Sequence, residues 1–262
     1  MIKMKFFLGI IVIIFLFCNV TFATILTNPN EIFKAKINIR QGKSYNGKTG
    51  YIFQWGKEKY PSKFPIILPE NSPPIISDYE SQWGANDGKR KKKHGGVDFY
   101  LEIGSPTIIA AADGKVIGVK NDDKCVGNQF AVYFGKSPDG TRMYATHMHV
   151  GKIHVKSGDK IKRGQLLADA GDQVKTRCGG GVAHLHFHMS KKKGKGTHGS
   201  AWGSWRYLGG PGGWINPHEY WTGGKGRPEC FVEGKIYPDG LLTLPVKLSL
   251  IHISEPTRRT PI

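Results

Sequence analysis

The stretch "VAHLHFHMS", residues 182–190, puts His184, His186 and His188 at every second position. Side chains alternate across an extended chain, so all three imidazoles project from one face of a strand. A solvent-facing strand has no need of histidine, and an apolar core prefers valine. The spacing therefore raises a metal site, and because one strand cannot close such a site, other segments must supply ligands.

The surrounding sequence is built from short strands and turns. Glycine at 35 residues and proline at 15 favour turns over long helices. "TIIAAADGKVIGVKN" (107–121) predicts a hairpin turning at Asp113-Gly114, and "QFAVYFGKSPDGTRMYATHMHV" (129–150) predicts a second at Asp139-Gly140. "KIHVKSGDKIKRGQLLADAG" (152–171) alternates and turns at Gly158-Asp159. Only "NPHEYW" (216–221) suggests a short helix, with His218 capping or packing it. The expectation is an all-β, mostly antiparallel domain over residues 75–222. "NSPPII" (71–76) breaks regular structure and separates it from a strand-rich extension or small module at 24–74. Residues 223–247 read as a C-terminal extension.

The two ends stand apart from the fold. "MIKMK" followed by "FFLGIIVIIFLFCNVTFA" has the basic start, apolar run and small residues of a secretory signal over 1–23. The apolar run falls short of the roughly 20 residues that span a bilayer, so no stable membrane span is expected after its removal. Residues 248–262 begin "LSLIHISEPTR", which resembles a translated sequencing adapter, and are set aside as an artefact. The expected location is exported: periplasm, envelope or medium. In such a compartment Cys125 and Cys178 are the first choice for a disulfide, leaving Cys230 as a thiol.

The formal net charge is +18, concentrated in "GKRKKKH" (88–94) and "SKKKGKG" (190–196). Such runs are commonly solvated loops, yet these abut the histidine-bearing segments and would steer anionic envelope polymers toward them. Nucleic acid is not expected, because the lysines cluster in loops instead of interleaving with aromatics.

"KHGGVDF" contains His94 and Asp98, with Gly95-Gly96 between them to permit a bend that brings both to one ion. With His186 they form a His2Asp set, three N/O ligands and a fourth position open, the arrangement of catalytic zinc. In order along the chain come "HGGVD", "GSPTIIAAADGKVIGV", "MYATHMHVGKIHVKSGDKIKRGQLLADAG", "HLHF" and "WINPHEYW". Over residues 75–221 this resembles the lysostaphin/LytM-type zinc endopeptidases, which cut peptide cross-links of peptidoglycan.

The resemblance implies a LytM-like, duplicated-hybrid-motif sheet with the metal in a groove, one Zn2+ per chain and the peptidoglycan peptide as substrate. His94, Asp98 and His186 match its metal ligands, and His184 matches a non-ligand histidine beside the reacting water. A further catalytic histidine follows a strand tyrosine in a "YxHLSxIxV" pattern. Here "YATHMHVGKIHV" offers two: counting back from "GKIHVKSG" selects His149, and counting from Tyr144 selects His147. His149 is favoured and His147 stays open; the two share a strand face unless a bulge intervenes. His188 is expected to pack beyond the site, His154 and His198 to lie on the surface. Trp202, Trp205, Tyr207 and Trp214 either line a groove or cover the sheet. The competing reading is a catalytically silent module of the same fold that binds the wall or regulates another hydrolase. Retention of every ligand argues against it.

Overall fold

In the computed structural model the described residues are 63, 65–69, 72–82, 93–101, 105, 107–121, 127–171, 183–191 and 213–247, with the strand pair β1 (Lys43–Ser44) and β2 (Phe53–Gln54). Next in chain order come β3 (Ile75–Ser77), β4 (Gly96–Tyr100), β5 (Ile108–Ile109), β6 (Gly114–Lys120) and β7 (Asn128–Lys136). They are followed by β8 (Arg142–Ile153), β9 (Lys160–Ile161), β10 (Leu166–Ala170), β11 (His184–Ser190) and β12 (Trp214–Ile215). A 3-10 turn spans Pro217–Glu219, and its first turn is capped by Asn216. No helix among them is long and apolar enough to cross a membrane.

One sheet runs in the order β3-β4-β11-β8-β7-β6-β9, with every pairing antiparallel. The histidine strand β11 sits inside it, between β4 and β8. Its alternation sends Leu185, Phe187 and Met189 into the core, where Val97, Phe99, Phe130, Val132, Met143 and Ala145 meet them. The other face carries the three imidazoles. The all-β expectation holds.

The hairpin at Asp139-Gly140 joins β7 to β8 as expected. The one at Asp113-Gly114 does not form: β5 pairs with β10, while β6 pairs with β7 and β9. Asp113 instead accepts from the Arg163 backbone N–H at 2.9 Å and the Lys162 ammonium at 2.6 Å. Gly114 is needed for space, since a Cβ there would lie 2.7 Å from the Tyr133 carbonyl oxygen. The residue pair that favours a tight turn in isolation here serves a strand crossing between partners.

Both flanking segments reach into this core. Ile66 and Leu68 are buried ahead of the Pro-Pro break, and Leu242, Leu244 and Val246 are buried from the C-terminal segment. Residues 242–247 run beside 107–111, with Thr243 N–H donating to Ala111 O, Ile109 N–H to Pro245 O and Lys247 N–H to Thr107 O. The Arg163 guanidinium fastens the approach, donating to the carbonyls of Ala111 (2.6 Å) and Leu241 (2.8 Å) and lying 4.9 Å over the Tyr237 ring. Cys125, Cys178, the signal, the adapter-like tail and most of both lysine runs lie outside the described residues.

A structural role for the C-terminal segment is measurable. Leu244→Ala removes a fully buried side chain and should cost about 2–5 kcal/mol, lowering Tm by roughly 5–15 °C. Thermal unfolding followed by circular dichroism checks this; an unchanged Tm would mean the segment is not part of the folded core.

Candidate metal centre

Register assembles the site. His186 on β11 stands directly opposite Asp98 on β4, and directly opposite Met148 on β8. His94 precedes β4 and turns its ring onto the same pair. The His94 Nε2, Asp98 Oδ1 and His186 Nδ1 atoms are separated by 3.0, 2.8 and 3.1 Å. Ligands at bonds near 2.0 Å around a tetrahedral ion stand about 3.3 Å apart, so three converging donors could hold one metal ion after opening by a few tenths of an ångström.

The glycines of "HGGVD" serve closeness, not a bend. Neither Gly95 nor Gly96 has positive φ. A Cβ on Gly96 would meet the Phe187 carbonyl oxygen at 2.5 Å and His186 Nε2 at 2.9 Å, and one on Gly95 would meet the His188 ring at 2.9 Å. Any side chain would push β4 away from β11 and part Asp98 from His186.

Burial prepares the donors. It pushes His186 down to about 4, against the opposing hydrogen bond and charge of Asp98, so the ring is neutral near pH 7. Burial also pushes Asp98 up, but the His94 and His184 rings and the hydrogen bonds from His186 and His94 outweigh it and hold the carboxyl well below the usual range. An anionic Asp98 and a neutral His186 are in the protonation states that metal binding requires.

A second layer orients His94. Its Nδ1–H donates to the Asp78 carbonyl at 3.0 Å, with Ser77 Oγ at 3.3 Å, which turns Nε2 toward the cluster. The Asp78 carboxylate accepts from His218 Nε2 at 2.8 Å and from the Tyr79 N–H at 2.7 Å. The Trp221 indole N–H can only donate, and it donates to His218 Nδ1 at 2.9 Å. That fixes the His218 tautomer, with its proton on Nε2 facing Asp78. His218 and Trp221 are fully buried. Sequence reasoning gave His218 a packing role and missed Asp78. Nothing in "SDYES" distinguishes that aspartate locally; its partner lies 140 residues away.

The structure separates His147 from His149. Strand β8 pairs with β11 through Tyr144–Met148 and with β10 through Val150 and Ile153, so it changes partner at His149. Opposite this point β7 advances by one residue, from Gln129 against Met148 to Asn128 against Val150. His149 is therefore the extra residue of a bulge, at φ 63°, a left-handed conformation that costs a non-glycine residue about 1–2 kcal/mol. Its ring centroid lies 4.7 Å from His184 and 6.1 Å from His186. His147 faces the opposite way, 0 % exposed, stacked on Phe130 at 4.4 Å and edge-on to Phe187 at 5.1 Å.

The remaining histidines divide as follows. His184 Nε2 lies 3.9 Å from Asp98 Oδ1, beside the cluster and outside the converging set. His188 is fully buried behind it, edge-on to Trp214 at 5.3 Å, with neither ring nitrogen hydrogen-bonded among the described residues. His154 pairs with Asp169 at 2.8 Å on the surface. His198, Trp202, Trp205 and Tyr207 lie outside the described residues.

Residues 92–198 match the model of Peptidase family M23. The chain is 28% identical over 176 residues to Peptidoglycan DD-endopeptidase ShyA of Vibrio cholerae, covering 63% of this chain and 36% of that protein. It is 33% identical over 104 residues to Glycyl-glycine endopeptidase ALE-1 of Staphylococcus capitis (40% and 25%). To Lysostaphin of Staphylococcus simulans it is 31% identical over 121 residues (45% and 23%). The chain thus spans about a third or less of the length of these relatives.

Two outcomes follow. Burial holds His147 at about 3 when folded, below the roughly 6.5 it has when unfolded. The unfolded chain then binds the extra proton, so the contribution is complete above about pH 6.5 and is lost as pH falls from there toward 3. His147→Leu should keep metal loading and flatten the acid loss of stability by up to about 1.4 kcal/mol per pH unit, read from denaturant melts at several pH values. Loss of metal loading or of turnover in this variant would return His147 to the site. Separately, Asp78→Asn keeps the carbonyl that His94 uses but weakens the grip of His218; metal affinity should fall about 10–100-fold, measured by competition with a chromophoric chelator.

Proposed function

We propose that the protein is an exported zinc-dependent endopeptidase of bacterial peptidoglycan, a reading supported by the match of residues 92–198 to the model of Peptidase family M23. The observation that carries this reading is one cluster: His94, Asp98 and His186 converging within 4.8 Å, with the His149 and His184 rings side by side next to it.

His94 Nε2, Asp98 Oδ1 and His186 Nδ1 would hold the ion, and zinc fits two imidazoles and one carboxylate. Bound there, zinc supplies Lewis acidity that polarises a peptide carbonyl and acidifies water. His149 and His184 do the proton work. No glutamate stands in the cluster among the described residues, so an imidazole must accept the proton of the attacking water and return one to the leaving amine. The partly exposed His149 and His184 are open to substrate, which the buried His188 is not. A protonated imidazole beside the scissile carbonyl also stabilises the oxyanion as it forms. Export rests on the signal-like sequence of residues 1–23.

The test uses the purified chain beside its His186→Ala variant. About one zinc per chain is expected in the parent, with release of soluble fragments from purified peptidoglycan, and both are expected to be lost in the variant. Mass analysis of the new ends names the bond. Stoichiometric zinc with no cleavage of any wall type would overturn the peptidase reading in favour of a wall-binding or regulatory module.

A further inference from the structure

The sheet face that carries the metal cluster continues toward the β7–β8 turn, and its register brings together residues far apart in sequence. Tyr133 on β7 stands opposite Tyr144 on β8, their rings stacked at 4.7 Å and 28°. Lys115 on β6 stands opposite Tyr133, and Lys160 on β9 stands opposite Lys115. Lys136 pairs with Arg142 one step further, and Arg142 shares a face with Tyr144 two residues on. Tyr144 is opposite Ser190 on β11, four residues from His186, so the tyrosine row lies about 13 Å along the strand from the cluster.

We propose that this patch is a docking surface for anionic wall glycan, which it holds while the metal cluster acts on attached peptide; the proposal rests on the endopeptidase reading above. All four cations are exposed, the tyrosines are half-buried, and none of the four is paired with an acid among the described residues. Directly opposed like charges such as Lys115 and Lys160 destabilise a sheet. Protecting the edge accounts for a lysine on β9, but not for a second one opposite it on the inner strand β6. An anionic ligand accounts for both. A polymer bearing carboxylates or phosphodiesters would be drawn to the four cations, while the tyrosine pair offers an apolar surface with hydroxyl tips to sugar rings. Because the two rings stack on each other, they form one composite surface. Nucleic-acid platforms instead offer separate rings to successive bases.

The test compares the full chain with two double variants, Lys115→Gln/Lys160→Gln and Tyr133→Leu/Tyr144→Leu. Co-sedimentation with purified bare peptidoglycan, with wall retaining its phosphodiester polymers, and with a single-stranded DNA oligonucleotide is measured at low and high salt. The lysine variant should bind wall about tenfold more weakly, with a shallower salt dependence, at unchanged zinc content and unchanged hydrolysis of a small soluble cross-linked peptide. The tyrosine variant should lose wall binding at high salt as well. Whichever wall preparation shows the larger loss identifies the anionic group. Wall binding within twofold of the parent in both variants overturns the proposal, as does DNA bound more tightly than wall and lost in the same variants. A zinc-loaded parent that cleaves neither wall nor peptide, yet binds wall through these lysines, keeps the docking surface and sinks the peptidase reading.

Discussion

The site depends on one pairing, β11 against β4. With His186 held opposite Asp98, two candidate ligands from distant parts of the chain meet without any loop having to position them. A slip of one residue would send the three imidazoles into the core and bring Leu185, Phe187 and Met189 out in their place. Several contacts forbid that slip. Phe187 and Leu185 are fully buried, and the bare backbone of Gly96 fits against the Phe187 carbonyl, where any Cβ would collide. At the far end of β11, Ser190 Oγ donates to Gly213 O at 2.9 Å, and β12 adds its own pairing there. The fold therefore places its strongest specification, core burial, on the strand whose polar face carries the candidate metal cluster.

The same economy explains how two buried carboxylates are tolerated. Asp98 and Asp78 are each almost inaccessible, and their partners include imidazoles and a backbone N–H. Asp98 faces the converging nitrogens, where a cation would complete the charge balance. Asp78 lies one layer behind, linked through its own carbonyl to His94 and through its carboxylate to His218. A buried pair of this kind adds little net stability, but removing one member leaves a polar group stranded. Its value is geometric: the Trp221–His218–Asp78 chain ties the segment after β12 to the strand behind His94, so closing the domain also orients a ligand.

How much of this could be read from the sequence depends on the range of the interaction. The alternating histidines of β11 and the His94–Asp98 spacing were legible because each is set within one strand or its entry. Counting from "GKIHVKSG" favoured His149 over His147, but which ring faces the cluster was not fixed locally, because the bulge arises where β8 exchanges β11 for β10, which involves three separate strands. Asp113-Gly114 misled for the opposite reason: a strong local turn signal was overridden by long-range pairing, β5 with β10 and β6 with β7 and β9. Leu242, Leu244 and Val246 alternate visibly, and that period could have identified a core-lining segment, but Pro245 within it argues against a regular strand. Asp78 carried no signal at all.

His149 shows why the bulge is worth its strain. In a regular strand its ring would lie on the core side with His147, among Phe130 and Phe187, where burial keeps an imidazole neutral and inert. One inserted residue in the left-handed region turns it to the polar face beside His184. The roughly 1–2 kcal/mol of backbone cost is small against what an apolar seat would impose on an ionisable side chain. Strained residues gather where surrounding pairings over-determine them, and here β7, β10 and β11 all fix the chain on either side of this one residue. The conformation that is locally unfavourable is thus the one that neighbouring strands enforce, leaving His149 half in solvent and close to the cluster.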